Sequence, residues 1–216
     1  CRQNLQKGGV SIYIRDHHNY NNINLAEFCS EQDLEICAVE LKTEFRNFII
    51  ACIYRSPSGN FDYFLNLLDN ALNYLHTRNS NIIVCGDFNV DYLTDNNRKF
   101  MLSSLLNSYN LTHTVNFPTR IEGDTISAID NIFIDRGNIH TSQTDPLING
   151  LSDHDAQLIK ISYNMVKEGS LSKIRTRNIN TESLQLFVRH LESENWKSIY
   201  EGDDINDKFN SFLQNF

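Results

Sequence analysis

The chain is short of proline, of positive charge and of long apolar runs, and each shortage removes a class of protein. Only 3 of its 216 residues are proline, while 40% are hydrophobic and 21% charged. That balance excludes disordered, collagen-like and disulfide-dense chains and leaves one ordinary globular domain with room for an appendage. Lys and Arg number 19 against 27 Asp and Glu, a net charge of -8. A protein that grips nucleic acid through a broad basic face is therefore not expected. No apolar run approaches the roughly 18 to 20 residues that span a bilayer, and the opening CRQNLQKGG lacks the charged-then-apolar order of a secretion signal. No membrane partner is expected. The 5 cysteines form no CxxC pair and have no His at zinc-finger spacing. They read as reduced, mostly buried thiols of an intracellular protein. The chain starts without Met and runs almost at once into a strand-like segment, so it reads as a piece of something longer.

What is present is an alternation of short apolar runs and amphipathic stretches from Gly8 to about Tyr163. Residues 9–15, 34–41 and 47–55 read as strands, the first two with the period of a half-buried antiparallel sheet and the third apolar on both faces. Phe61, Phe64, Leu65, Leu68, Leu72 and Leu75 form a helical stripe. A short apolar strand, Asn81 to Gly86, precedes a second helix over 97–109, with Phe100, Met101, Leu105 and Leu106 expected inward. Strands follow near 128–135, 139–145 and 156–163. This order predicts a layered mixed α/β sandwich, not a doubly wound parallel sheet. Residues 1–163 form the predicted domain. Residues 164–216 read as a polar linker followed by helices starting at Thr181 and at about Asp204. By count, the domain holds 12 basic and 19 acidic residues and the appendage 7 and 8.

The chemistry-bearing residues lie at strand ends, where open α/β folds place ligands. Gly86-Asp87-Phe88-Asn89 follows an apolar strand; an extended backbone would aim the acid and the amide at one site. Asp130 stands between apolar neighbours and needs a buried cation or imidazole partner. Ser152-Asp153-His154-Asp155 precedes the last strand of the domain. Taken singly, these segments suit turns, caps or loops as well as catalysis. Together they bring carboxylates, an amide and an imidazole to one cleft, and oxygen ligands of this kind suit magnesium or manganese, not zinc.

At these residues the sequence resembles the endonuclease/exonuclease/phosphatase superfamily, the group of deoxyribonuclease I and the apurinic endonucleases, and specifically the endonuclease domain that precedes the reverse transcriptase of non-LTR retrotransposons. Tyr54-Arg-Ser-Pro57, Gly86-Asp-Phe-Asn89, Phe117-Pro-Thr-Arg120, Ser127-Ala-Ile-Asp-Asn-Ile-Phe133 and Leu151-Ser-Asp-His-Asp-Ala156 carry the likeness. It implies a deoxyribonuclease I-like four-layer α/β sandwich and a Mg2+- or Mn2+-dependent endonuclease that nicks a duplex DNA target in the nucleus. The nick leaves a 3′-hydroxyl for a polymerase domain to extend on the element's RNA. Asp87 would activate the attacking water, and Asn89 would hold it together with the developing charge. Asp130 would orient His154, which donates to a phosphate oxygen. Asp153 would help hold the metal, and Tyr54 would contact the phosphate. Arg55, Thr119, Arg120 and Ser127 are the expected nucleic-acid contacts.

One departure stands out. The family's asparagine and metal-binding glutamate lie upstream of the segment that Lys7 to Ile14 resembles, so the sequence reads as lacking both, along with the first strands. Weak metal binding and low activity are expected, and a catalytically dead remnant or a phosphatase of the same fold remain as alternatives. With its acidic surface the domain is expected to hold DNA weakly and with strong salt dependence.

Overall fold

The computed structural model describes residues 8–44, 46–78, 81–148, 150–162, 181–200 and 204–214. The chain divides into two compact units, residues 1–164 and 165–216.

In the first unit, β1 (Asn19–Ile23), β2 (Glu35–Lys42), β3 (Asn47–Tyr54), β4 (Asn81–Asp87), β5 (Leu111–His113) and β8 (Asp130–Asp135) form a six-stranded sheet in the order β1-β2-β3-β4-β8-β5. Hairpins β6 (Arg120–Glu122) with β7 (Thr125–Ser127) and β9 (Ser142–Leu147) with β10 (Ala156–Ile161) form two smaller sheets. Only β3 and β4 run parallel; the other pairs of the six-stranded sheet are antiparallel. A parallel pair needs a crossover, and α1 (Phe61–His76) supplies it. Asn60 caps this helix by accepting from the Tyr63 amide at 3.0 Å. Its apolar stripe, Phe64, Leu68, Ala71, Leu72 and Leu75, is buried against Ile36, Ala51, Ile53, Val84 and Phe133 of the sheet. Alongside lies α2 (Asn97–Ser108), capped by Asn96 and burying Leu102 and Leu106.

The opposite face of the sheet carries a second apolar cluster. Ile132 and Ile134 of β8 and Val115 meet Ile159 and Ile161 of β10. Helices on one face and a second sheet on the other give the layered mixed α/β sandwich expected from the element order.

Two expectations need correction. Residues 8–15 alternate between half-buried and exposed positions as predicted, yet form no strand. Alternation creates one apolar face but no ladder; a strand also needs a neighbour to pair with, and among the described residues this segment has none. The first strand instead lies at Asn19–Ile23, which is polar and pairs with β2. On α2, Phe100 is 72% exposed while Leu102 is fully buried, because the burial stripe passes through Leu102 and Leu106.

The second unit contains α3 (Thr181–Ser193), α4 (Lys197–Tyr200) and α5 (Ile205–Gln214). Trp196 stacks on Phe212 with ring centroids 6.5 Å apart. The expected linker over 164–180 lies outside the described residues. No described helix is long and apolar enough to cross a membrane.

Candidate active site

The register of the sheet places one polar side chain from each of four neighbouring strands in a single row. Glu35 of β2 pairs with Tyr54 of β3, Tyr54 with Asp87 of β4, and Asp87 with Asp130 of β8. Residues in register point to the same face, so this row crosses one end of the sheet.

Gly86 makes the approach possible. Its φ is +135°, and a Cβ there would lie 1.9 Å from the Ile53 carbonyl oxygen. Only glycine fits between β4 and β3 at this point. Beyond Asp87 the chain does not continue extended: Phe88 plunges into the core, and Asn89 adopts φ +50°. The expected extended Asp-x-Asn geometry is therefore replaced by a turn, in which the Asn89 amide donates to Asp87 Oδ1 at 3.0 Å. Asn89 Nδ2 donates to the Arg55 carbonyl at 2.7 Å, which fixes the side-chain amide beside the row. Burial, then the neighbouring Asp130 carboxylate, push the Asp87 carboxyl up to about 6.

Asp130 receives two partners. His154 Nδ1 lies 2.9 Å from Asp130 Oδ2, and the Thr119 hydroxyl donates to the same oxygen at 2.8 Å. Thr119 in turn accepts from the backbone amides of Ile129 and Asp130, both at 3.1 Å. His154 arrives on the loop before β10, which is stitched to β6: the Ile121 amide donates to the Asp153 carbonyl and the Asp155 amide to the Thr119 carbonyl. One ligand atom each from Asp87, Asp130 and His154 lie within 4.8 Å of one another. Two carboxylates and an imidazole fit a hard or borderline divalent cation.

Several residues predicted for this site occupy different places. Arg55, expected to touch nucleic acid, is fully buried. Its guanidinium donates to the carbonyls of Phe88, Ser56 and Asn89 at 2.8, 2.9 and 3.0 Å and lies over the rings of Phe61 and Phe64. It clamps the site-bearing turn from beneath. Thr119 is likewise fully buried and positions Asp130 without reaching the surface. Asp153, expected at the metal, stands outside the ligand group and pairs with Arg120 Nε at 2.7 Å. The Arg120 hydrogen bond holds its carboxyl below the ordinary range. Arg120 also reaches Glu122 at 2.8 Å. Half-buried Ser127 sits opposite Arg120 in the β6–β7 hairpin, and Tyr54 is half-buried in the row. Glu35 was missed by the motif reading. It is 9% exposed and shares the row, but its own sequence surroundings are those of an ordinary alternating strand.

A deoxyribonuclease I-like mixed α/β sandwich with an acid–imidazole group at its strand ends defines the endonuclease/exonuclease/phosphatase superfamily. Within it, the profile described as endonuclease-reverse transcriptase matches residues 48–158, and the chain belongs to that family. That segment contains every predicted site residue. The endonuclease domain of TRAS1, a telomere-specific non-LTR retrotransposon, superposes with a TM-score of 0.56 at 16% identity, covering 69% of this chain and 71% of that one. A 3′ phosphatase from Neisseria bound to a product DNA hairpin gives 0.48 at 13% identity, over 69% of this chain and 72% of that one. An endonuclease/exonuclease/phosphatase family protein from Leptotrichia buccalis gives 0.46 at 18% identity, over 59% and 54%. No curated protein sequence matches the chain.

Proposed function

We propose that the chain is a divalent-cation-dependent phosphodiester hydrolase that nicks duplex DNA at the target site of a non-LTR retroelement. The observation that carries this reading is the convergence of Asp87, Asp130 and His154 within 4.8 Å of one another, inside the family-matched segment. Asp87, its pKa raised to about 6, is a stronger base than an ordinary carboxylate yet mostly ionised at neutral pH. That suits it to take a proton from the attacking water. Asn89, fixed by its bond to Arg55, presents its side-chain amide beside Asp87. Asp130 holds the His154 ring through Nδ1, leaving Nε2 to donate to a non-bridging phosphate oxygen. Tyr54, next in the row, offers a hydroxyl to the same phosphate. Asp87 and Asp130 would present carboxylate oxygens to Mg2+ or Mn2+, which would supply Lewis-acid stabilisation of the charge developing on the phosphate, with His154 kept for the phosphate oxygen.

In this reading the nick leaves a 3′-hydroxyl, extended on element RNA by a polymerase domain of the same polyprotein, and the chain acts on chromosomal DNA in the nucleus. A nicking assay on supercoiled plasmid with Mg2+ tests the hydrolase. Relaxed circles are expected from the parent chain, with losses of at least about 100-fold in Asp87→Ala and His154→Ala; nicking that survives both substitutions would sink the mechanism. A second reading, a catalytically dead remnant that still binds nucleic acid, is favoured by the Asp153 carboxylate, which faces Arg120 instead of the ligand group. Plasmid binding without nicking at any Mg2+ or Mn2+ concentration would select it.

A further inference from the structure

Three cysteines stand abreast in the row of the sheet next to the candidate site. Cys37 of β2 pairs in register with Cys52 of β3, and Cys52 with Cys85 of β4. Each lies two residues before or after a member of the polar row: Cys37 after Glu35, Cys52 before Tyr54, and Cys85 before Asp87. Strand period two therefore turns all three thiols to the face that carries the site. All three are free and half-buried, and no step of the proposed hydrolysis uses a thiol.

We propose that Cys52 and Cys85 are a site of reversible oxidative modification, which a peroxide closes into a disulfide linking β3 to β4. Neighbouring strands lie about 4.8 Å apart, inside the roughly 4.4–6.8 Å Cα separation that a disulfide bridges. Cys37 and Cys85 are two strands apart, roughly 10 Å, and cannot be joined without moving the sheet. Cys37 and Cys52 are the competing pair; the close approach of β4 to β3 at Gly86 and Ile53, the chain neighbours of Cys85 and Cys52, favours Cys52 with Cys85. The Cys52 thiolate attacks one oxygen of hydrogen peroxide, breaking the O–O bond to give a sulfenic acid and, after protonation, water. Cys85 Sγ then attacks Cys52 Sγ, its proton leaves with the sulfenic hydroxyl as a second water, and the S–S bond forms. Two thiols lose two electrons and one peroxide is reduced.

The bridge draws the two Cβ atoms to about 3.8 Å, closer than their strands otherwise place them. Because it sits one step along the ladder from Tyr54 and Asp87, it shifts both. A strained bridge of this kind is readily reduced.

The test treats the full chain with hydrogen peroxide, then counts thiols and maps cross-linked peptides by mass spectrometry. Loss of two thiols and two hydrogens, with Cys52 joined to Cys85, is expected. It should reverse with dithiothreitol, vanish in Cys52→Ser and in Cys85→Ser, and persist in Cys37→Ser. Added oxygen without a cross-link, or a link that maps to Cys37–Cys52, would overturn the assignment. The thiol chemistry stands independently of the hydrolase reading; its consequence for nicking rests on it. The oxidised parent is expected to nick at least about tenfold more slowly, since a misplacement near 1 Å costs that much or more, while Cys52→Ser nicks at the same rate with and without peroxide. Equal rates before and after a mapped Cys52–Cys85 link would refute the consequence alone.

Discussion

Asp87 and Arg55 both carry charges into the protein interior, and the chain treats them oppositely. Asp87 is held by one backbone amide and faces Asp130, so burial dominates and its carboxyl rises from the usual 3.8 to about 6. Between those values the folded chain keeps a proton that the unfolded chain has released. The Asp87 contribution to stability in metal-free buffer should therefore be full below about pH 4 and fade as pH rises to about 6, by up to roughly 3 kcal/mol. Urea melts across this window measure the slope, and Asp87→Asn should flatten it. Arg55 keeps its charge by donating to three backbone carbonyls, although burial lowers its pKa. Arg55→Met strips the Phe88 and Asn89 carbonyls of this donor and should cost about 3 kcal/mol or more of stability. Arg120→Ala, by contrast, breaks surface pairs and should change stability by less than about 1 kcal/mol. It should also return the Asp153 carboxyl toward its ordinary value, which an NMR pH titration of that side chain would show.

At the scale of elements, the site depends on β3 and β4 meeting closely where their side chains become polar. Gly86 is the contact point. Gly86→Ala would press a methyl carbon against the Ile53 carbonyl at a φ that L residues rarely adopt, so it should unfold the chain or cost more than about 4 kcal/mol. Circular dichroism with thermal melting reads this directly; a stable Ala variant would mean that β4 can separate from β3 without loss of the fold. On the other side of the sheet, α1 anchors the crossover through side chains with no exposure at all. Leu72→Ala should lower stability by about 3 kcal/mol while leaving the relative positions of Asp87 and Asp130 intact, because these belong to the antiparallel β4–β8 ladder.

For the molecule as a whole, the net charge of -8 changes meaning once the site is assembled. Asp87 and Asp130 face one another, and a bound divalent cation would offset part of the deficit. With Arg55 buried and Arg120 paired twice, neither arginine of the motifs stands ready for phosphate contact. DNA binding measured against salt should thus be weak but shallow, with a log–log slope below about 3, in place of the steep dependence expected from sequence. The sequence alone determined the layered fold, because apolar periods of 2 and 3.6 can be buried in few ways, and it marked Asp87, Asn89, Asp130 and His154 through polar residues at strand ends. Which side chains share a face, and which charges are already paired, was not legible there. Arg55 and Arg120 look alike in a motif, yet one lies beneath the site turn and the other bridges Asp153 and Glu122 at the surface. Glu35, Cys37 and Cys52 join their rows only through strand register. Register and burial are pairwise properties of distant segments, set when β2, β3, β4 and β8 align, and only the tertiary structure decides them.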